Sequence, residues 1–319
     1  MSGHWRLPRT PTVRSRVAGV VVAGVLALVI RATPAAAQRV SLEARLPEGE
    51  MTLDHATLPT GVGRGADRLS RRLAWRTMRA GVQLTELDLR AGTLGIPVHA
   101  IVVRCDPRAV SFALSLSTEA NGMSGSWRID STPTDAVLGM NAGQFKETGP
   151  WGWLLIAGDR RRDPAHAPLA ASVGIDASGR IRWLPAGGEV NARDMRYGFQ
   201  SFPRLLEHGR VPRVLRDGTL MDMAHRDARL ILAESRDGSI LFVLTRFGAL
   251  GVVAERVPIG LTTPESVVLV IALGAWDAVM LDGGISGQLM VRDSTGTTAE
   301  WRGMRAVPLG LVARPTGRH

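Results

Sequence analysis

Cysteine is almost missing from this chain: Cys105 is the single one, so no internal disulfide can form. It lies in Ile101-Val-Val-Arg-Cys, an apparent strand, where a buried and inert thiol is expected. Lysine is as scarce, Lys146 being the only one, so nearly all positive charge is arginine. A GC-rich genome accounts for that bias, and an arginine surface selected for phosphate is the other reading. Aromatic residues make up 5% of the chain, and no basic cluster is interleaved with stacking rings. A nucleic-acid partner is therefore not expected. The runs Arg160-Arg161-Arg162 and Arg71-Arg72 are short and read as solvated loops. No His/Cys cluster has the spacing of a transition-metal site.

What is present points to an exported globular protein. The 319 residues allow one large domain or two small ones, and a hydrophobic share of 45% suits a packed core. Half of the formal charge of +10 comes from Arg6, Arg9, Arg14, Arg16 and Arg31, in a stretch without acids. The basic start, Arg6 to Arg16, precedes the apolar run Val17–Ile30, the length of a signal-peptide core and short for a membrane span. Ala35 and Ala37 supply the small residues that signal peptidase requires, so residues 1–37 read as a signal peptide cleaved before Gln38. The periplasm or the exterior is the expected location. An uncleaved anchor is the alternative, and the only membrane contact the sequence suggests.

Residues 38–79 show little periodicity and read as a poorly defined leader. From 80 to 315 the pattern is strand-rich. Gly81–Leu89 alternates polar and apolar residues, and Ile96–Cys105 and Ala109–Ser117 are two further runs parted by Asp106-Pro107. Hairpins are expected at Ala171–Leu184 and Ala228–Thr245, the latter turning at Asp237-Gly238. Thr263–Leu273 predicts a helix capped by Thr263, with Pro264 in its first turn and Gly274 at its end. Trp276–Leu281 then reads as a strand. The expected fold is α+β, a single domain on a mixed, strand-rich sheet with a few flanking helices.

Four segments place polar groups beside glycine at apparent strand ends. Gly139-Met-Asn-Ala-Gly-Gln-Phe offers the Asn141 amide, and Gly143 permits close backbone approach. An ordinary Asn-Gly turn is the plainer reading. Phe199-Gln-Ser-Phe-Pro-Arg carries Gln200 and Ser201, neutral groups that can grip sugar hydroxyls. His225-Arg-Asp-Ala-Arg opens an apolar strand with Arg229, which requires an anionic partner if it points inward. That partner is either a protein carboxylate or a bound phosphate. Ala278-Val-Met-Leu-Asp-Gly-Gly-Ile-Ser sets Asp282 at the end of a hydrophobic strand, before glycines that leave backbone N–H groups open to a ligand. A turn-forming aspartate is the alternative.

In order and spacing the four segments resemble the phosphodiester glycosidase family. Its pattern has Asn-Gly/Ala-Gly-x-Phe, Gln-Ser-Gly-Pro, Arg-Thr-Ala-Ile-Gly and Leu-Asp-Gly-Gly-Gly-Ser segments. Asn141 to Phe145 match the first. Gln200, Ser201 and Pro203 match the second, with Phe202 replacing glycine. Arg229 and Ile231 match the third, from which Leu230, Leu232 and Ala233 depart. Leu281 to Gly284 and Ser286 match the last, with Ile285 in place of glycine. Met280 stands where the lysosomal branch has asparagine, and the tail looks closer to shorter bacterial secreted members. The likeness runs from about Ile96 to Val312.

The resemblance implies hydrolysis of a sugar 1-phosphodiester at its glycosidic bond. It implies Asp282 as the carboxylate that stabilises the cationic sugar or activates water, and Arg229 as the phosphate ligand. Asn141, Gln200 and Ser201 would orient sugar hydroxyls, with Gly143, Gly283, Gly284 and Ser286 lining the site. His225 is a further proton-donor candidate, though a solvated surface histidine is the simpler reading. No organic cofactor is implied, and a hard divalent cation at Asp282 stays open. The competing reading is a non-catalytic envelope protein that binds an anionic glycan or phosphosugar in the same cleft. The departures at Phe202, Ala233 and Ile285 favour that rival.

Overall fold

Strand-forming sequence fills most of the computed structural model, which describes residues 39–116, 126–185, 192–249 and 258–317. The expected signal peptide lies outside the described residues. In chain order the first strands are β1 (Leu42–Leu46), β2 (Gly49–Thr52), β3 (Arg76–Arg79), β4 (Val82–Ala91), β5 (Ile96–Cys105), β6 (Val110–Leu116) and β7 (Leu138–Asn141). Next come β8 (Phe145–Lys146), β9 (Gly149–Pro150), β10 (Leu154–Ile156), β11 (Asp159–Arg162), β12 (Ala171–Asp176), β13 (Ile181–Leu184), β14 (Met195–Ser201) and β15 (Arg204–Leu206). After the short helix α1 (Arg213–Asp217) follow β16 (Leu230–Ser235), β17 (Ile240–Phe247), helix α2 (Thr263–Ala272) and β18 (Ala275–Leu281). The last strands are β19 (Leu289–Arg292), β20 (Thr298–Trp301) and β21 (Leu309–Pro315).

Three main sheets result. A nine-stranded sheet runs β15-β18-β16-β17-β5-β4-β1-β2, with β3 also paired to β4. One five-stranded sheet runs β11-β10-β14-β12-β13, the other β20-β19-β7-β21-β6. Every strand pairing among the described residues is antiparallel, which corrects the expected single mixed sheet. The physical reason is connection length. Tight turns such as Asp237-Gly238 return the chain to its neighbour antiparallel, whereas parallel pairing demands long crossovers. Helix is sparse: among the described residues only α2 exceeds five residues.

The large sheet is covered on both faces, which is why its central strands are continuously apolar. On β16, Ile231 and Ala233 join one core while Leu230 and Leu232 join the other. On β17, Leu241 and Val243 point one way and Ile240, Phe242 and Leu244 the other. The first core is closed by α2, all ten residues of which are buried. The second lies against the two five-stranded sheets. Cys105 is fully buried there, and burial raises its thiol pKa, consistent with an inert role.

Two sequence expectations shift. Residues 39–79, expected as a poorly defined leader, hold β1 to β3. Leu42, Ala44 and Leu46 alternate inward from β1, and β1 hydrogen-bonds β4 from Leu42↔Ala91 to Arg45↔Asp88. The helix cap is Thr262 rather than Thr263. Its hydroxyl accepts from Glu265 N–H while Glu265 Oε2 accepts from Thr262 N–H at 2.9 Å, a reciprocal capping box.

Candidate active site

Asp282 follows the last residue of β18, and Arg229 precedes the first of β16. The two strands pair with Leu230 opposite Leu281, so the ladder ends with Arg229 and Asp282 leaving it side by side. Residues far apart in sequence are thereby set at the mouth of one cleft. That cleft has a volume of about 800 Å3 and is lined by both residues, together with Asp227, Gly283, Gly284, Ser286, Lys146 and Arg305. Its size is that of a small-molecule site. Trp151 and Phe202 form part of the wall, their rings edge-on with centroids 6.5 Å apart.

The Asp282 turn is held by backbone contacts that glycine alone permits. A Cβ on Gly283 would come within 2.4 Å of the Ala228 carbonyl oxygen. Gly284 has a φ of +55°, and its N–H donates to that same carbonyl at 2.7 Å. The turn is thus pressed against the entry of β16. Gly143, with a φ of +76°, accepts from the Asp282 N–H at 2.9 Å and is itself confined by the Gln200 carbonyl.

Asn141, Gln200 and Ser201, expected to orient sugar hydroxyls, lie beneath the cleft instead. All three are buried, because β7 and β14 end inside the seam between sheets. Asn141 Nδ2 donates to the Asp282 carbonyl, and its Oδ1 accepts from Gln288 N–H at 3.1 Å. Gln200 Oε1 accepts from the N–H groups of Trp153 and Ala165, both at 2.8 Å, and its Nε2 donates to Ser172 Oγ at 3.0 Å. Ser201 Oγ donates to the Met280 carbonyl. These side chains fasten the turn that carries Asp282 and the loop that carries Trp151. His225 is exposed at the rim, 3.8 Å from Asp227 Oδ2.

Asp227 is the residue that sequence reasoning passed over. It lines the cleft, and its Oδ1 is buried without a hydrogen-bond partner. Its position inside the charged string His225-Arg-Asp-Ala-Arg gives the appearance of a solvated loop. The signal that could have found it is its place two residues before the inward-reading Arg229.

Burial raises the Asp282 pKa above the ordinary carboxylate value. A hydrogen bond from Ser286 and the charge of Arg305 oppose that shift, while Asp227 adds to it. Burial raises Asp227 likewise, against the pull of Arg229, the Ala228 N–H and His225. The cleft therefore holds two carboxylates that both resist ionisation, an arrangement characteristic of acid–base work.

Arg229 is fixed by backbone oxygens: Nε donates to Leu261 O at 2.8 Å and Nη2 to His225 O at 2.6 Å. Its Nη1 has no partner among the described residues. Burial lowers its pKa, while Asp227 and Glu265 raise it, and the guanidinium stays charged at any working pH. Arg226 is instead taken up by Glu265 through two 2.7 Å contacts. Among the described residues no group of three or more His, Cys, Asp or Glu side chains is placed to hold a metal ion. Among the described residues, Asp227 and Asp282 are the only carboxylates lining the cleft.

Comparison with known proteins bears on the family and the fold. Residues 134–314 match the family model described as phosphodiester glycosidase. Among solved structures, the fold is similar to the zebrafish N-acetylglucosamine-1-phosphodiester alpha-N-acetylglucosaminidase catalytic domain, auto-inhibited by its pro-peptide. The TM-score is 0.54 at 14% identity, covering 82% of this chain and 96% of that one. A hypothetical protein from Synechocystis is similar at a TM-score of 0.50 and 13% identity, covering 88% of this chain and 68% of that one. No curated protein matches the chain in sequence. With the family match spanning more than half its length, from before Asn141 to beyond Arg305, this chain belongs to the phosphodiester glycosidase family.

Proposed function

We propose that the cleft hydrolyses the glycosidic bond of a sugar 1-phosphodiester. The observation that carries this reading is the pairing of Asp227 and Asp282, both with raised pKa, beside the backbone-locked Arg229. In the proposed reaction the bond between the anomeric carbon and the phosphate oxygen breaks. The electron pair leaves with the phosphate, which departs as a phosphomonoester. Water adds to the anomeric carbon and loses a proton to a carboxylate.

Asp282 stabilises positive charge at the anomeric carbon as it develops. Asp227, whose carboxylate lines the cleft, takes the proton from water. Arg229 and Arg305 offset the charge on the departing phosphate. A phosphate leaves readily, so electrostatic support matters more here than protonation of the leaving group. Asn141, Gln200 and Ser201 act indirectly, as positioning residues.

Incubation with an N-acetylglucosamine 1-phosphodiester tests the reading. Free sugar and phosphomonoester are expected in equal amounts, and water labelled with heavy oxygen should mark the sugar and not the phosphate. Label in the phosphate would mean cleavage at phosphorus and would sink the mechanism.

We also propose that the protein is exported and cleaved before Gln38. The support is the basic start, the Val17–Ile30 run and the Ala35/Ala37 pair. Among the described residues no helix is long and apolar enough to cross a membrane. N-terminal sequencing from an export-competent host should begin near Gln38. Recovery of the intact start from the cytoplasm would refute it.

A further inference from the structure

We propose that the alcohol esterified to the substrate's phosphate is a long apolar chain rather than a second sugar. The inference rests on the phosphodiester glycosidase reading and concerns the part of the substrate that leaves with the phosphate.

Three observations carry it. First, among the described residues, Asn141, Gln200 and Ser201, the neutral groups expected to grip a sugar, do not line the cleft. All three are buried with their polar atoms engaged by the protein. Among the other polar lining groups, Gln144 Nε2 donates to the Phe202 carbonyl at 3.0 Å and Ser286 bonds Asp282. A second sugar placed against the apolar wall, away from Asp227, Asp282 and the cations, would leave hydroxyls unpaired, at a cost for each one.

Second, the wall is made of Trp151, Phe202, Met221, Pro258, Met280 and Ile285. Ile285 is 44% exposed, and its side chain gains most from a ligand that covers it. Phe202 and Ile285 stand where the family pattern has glycine, and Met280 where the lysosomal branch has asparagine. All three departures line this one cleft, and each makes it more apolar.

Third, the charges match a single phosphate at the edge of that surface. Arg229, Arg305 and Lys146 line the same cleft as the two carboxylates. A phosphodiester held by those cations has the sugar on one ester bond, towards Asp282. Its other ester bond is left to the apolar wall. An amphiphile with an anionic phosphate between sugar and chain satisfies both halves.

The test uses methyl, butyl and octyl phosphodiesters of N-acetylglucosamine 1-phosphate, below micelle-forming concentrations. A sugar-alcohol ester of similar size to octyl is included. Equilibrium binding and turnover are both measured, on the full-length protein and on Ile285→Ser and Phe202→Ala. Affinity is expected to rise about two- to fourfold per methylene. Each variant should flatten that slope, and the ratio of octyl to methyl within one variant corrects for any loss of folded protein. Equal affinity along the series, or tighter binding of the sugar-alcohol ester, would overturn the proposal even if every ester is hydrolysed. Binding that rises with chain length without hydrolysis of any ester would instead remove the hydrolase reading and leave the apolar subsite standing.

Discussion

Asp282→Asn is expected to lower kcat/KM at least 100-fold while raising the melting temperature at pH 7. The first half follows from charge. Asparagine keeps the size of the side chain and can still accept from Ser286, but it cannot offset a cationic anomeric carbon. Losing one such preorganised charge costs roughly 3 kcal/mol of transition-state stabilisation or more. The second half follows from the raised pKa of Asp282, whose main cause is burial. Below the ordinary carboxylate range the group is neutral in both folded and unfolded chains, so its burial carries no ionic cost. As pH rises from the ordinary value towards the raised one, the unfolded chain ionises first and the folded state loses stability. Above the raised value that loss is complete. Asparagine never ionises, so its advantage in melting temperature should be absent in acid and grow towards neutral pH. A merely turn-forming aspartate would behave otherwise. Unchanged turnover with an unchanged melting curve would establish that simpler role and end the catalytic assignment.

Arg229→Lys should reduce kcat/KM by about 100-fold and lower the melting temperature, the opposite stability change. Lysine keeps the charge but ends in a single ammonium. It cannot hold Leu261 O and His225 O at once from two different nitrogens and leave a third for a ligand. The positive charge that opposes the raised pKa of Asp227 is kept, so the acid limb of the pH–rate profile should stay in place. The loss should appear in the rate per folded molecule across the whole profile, which a simple loss of folded protein would not produce. Inhibition by the phosphomonoester product should weaken in parallel. Full activity with normal product inhibition would show that another cation, Arg305 or Lys146, holds the phosphate.

The placement of Arg229 beside Asp282 at the candidate site was legible because each flanks a strongly apolar strand. A run such as Leu230–Ala233 or Ala278–Leu281 marks a central strand, and a charged residue at its end has few places to go but the rim. The hairpins at Ala171–Leu184 and Ala228–Thr245, the latter with an Asp-Gly turn, and a helix opened by Thr263-Pro264-Glu265 were legible for similar local reasons. The facing of Asn141 was not. All four residues of β7 are buried, so alternation gives no phase from which to tell the ligand side from the interior. Gln200 and Ser201 end β14 with four consecutive buried residues, and the same ambiguity applies. The early strands were missed for a different reason. β1 is five residues long and sets Glu43 and Arg45 between its apolar positions, a pattern too brief to stand out before the pairing with β4 is known. Asp227 was hidden by its neighbours, since a string of charges signals solvent until one of them is found half-buried with an unpartnered oxygen.

The scarcity of lysine acquires a practical meaning once the cleft is located. Lys146 is exposed, lines the cleft beside Phe145 and is the only side-chain amine in the chain. An amine-selective reagent used at high pH therefore has one side chain to acylate, and that side chain borders the place where substrate would sit. A dye attached there becomes a built-in reporter of occupancy. The same bond can anchor the protein to a solid support in a single orientation, with the mouth of the cleft towards the linker.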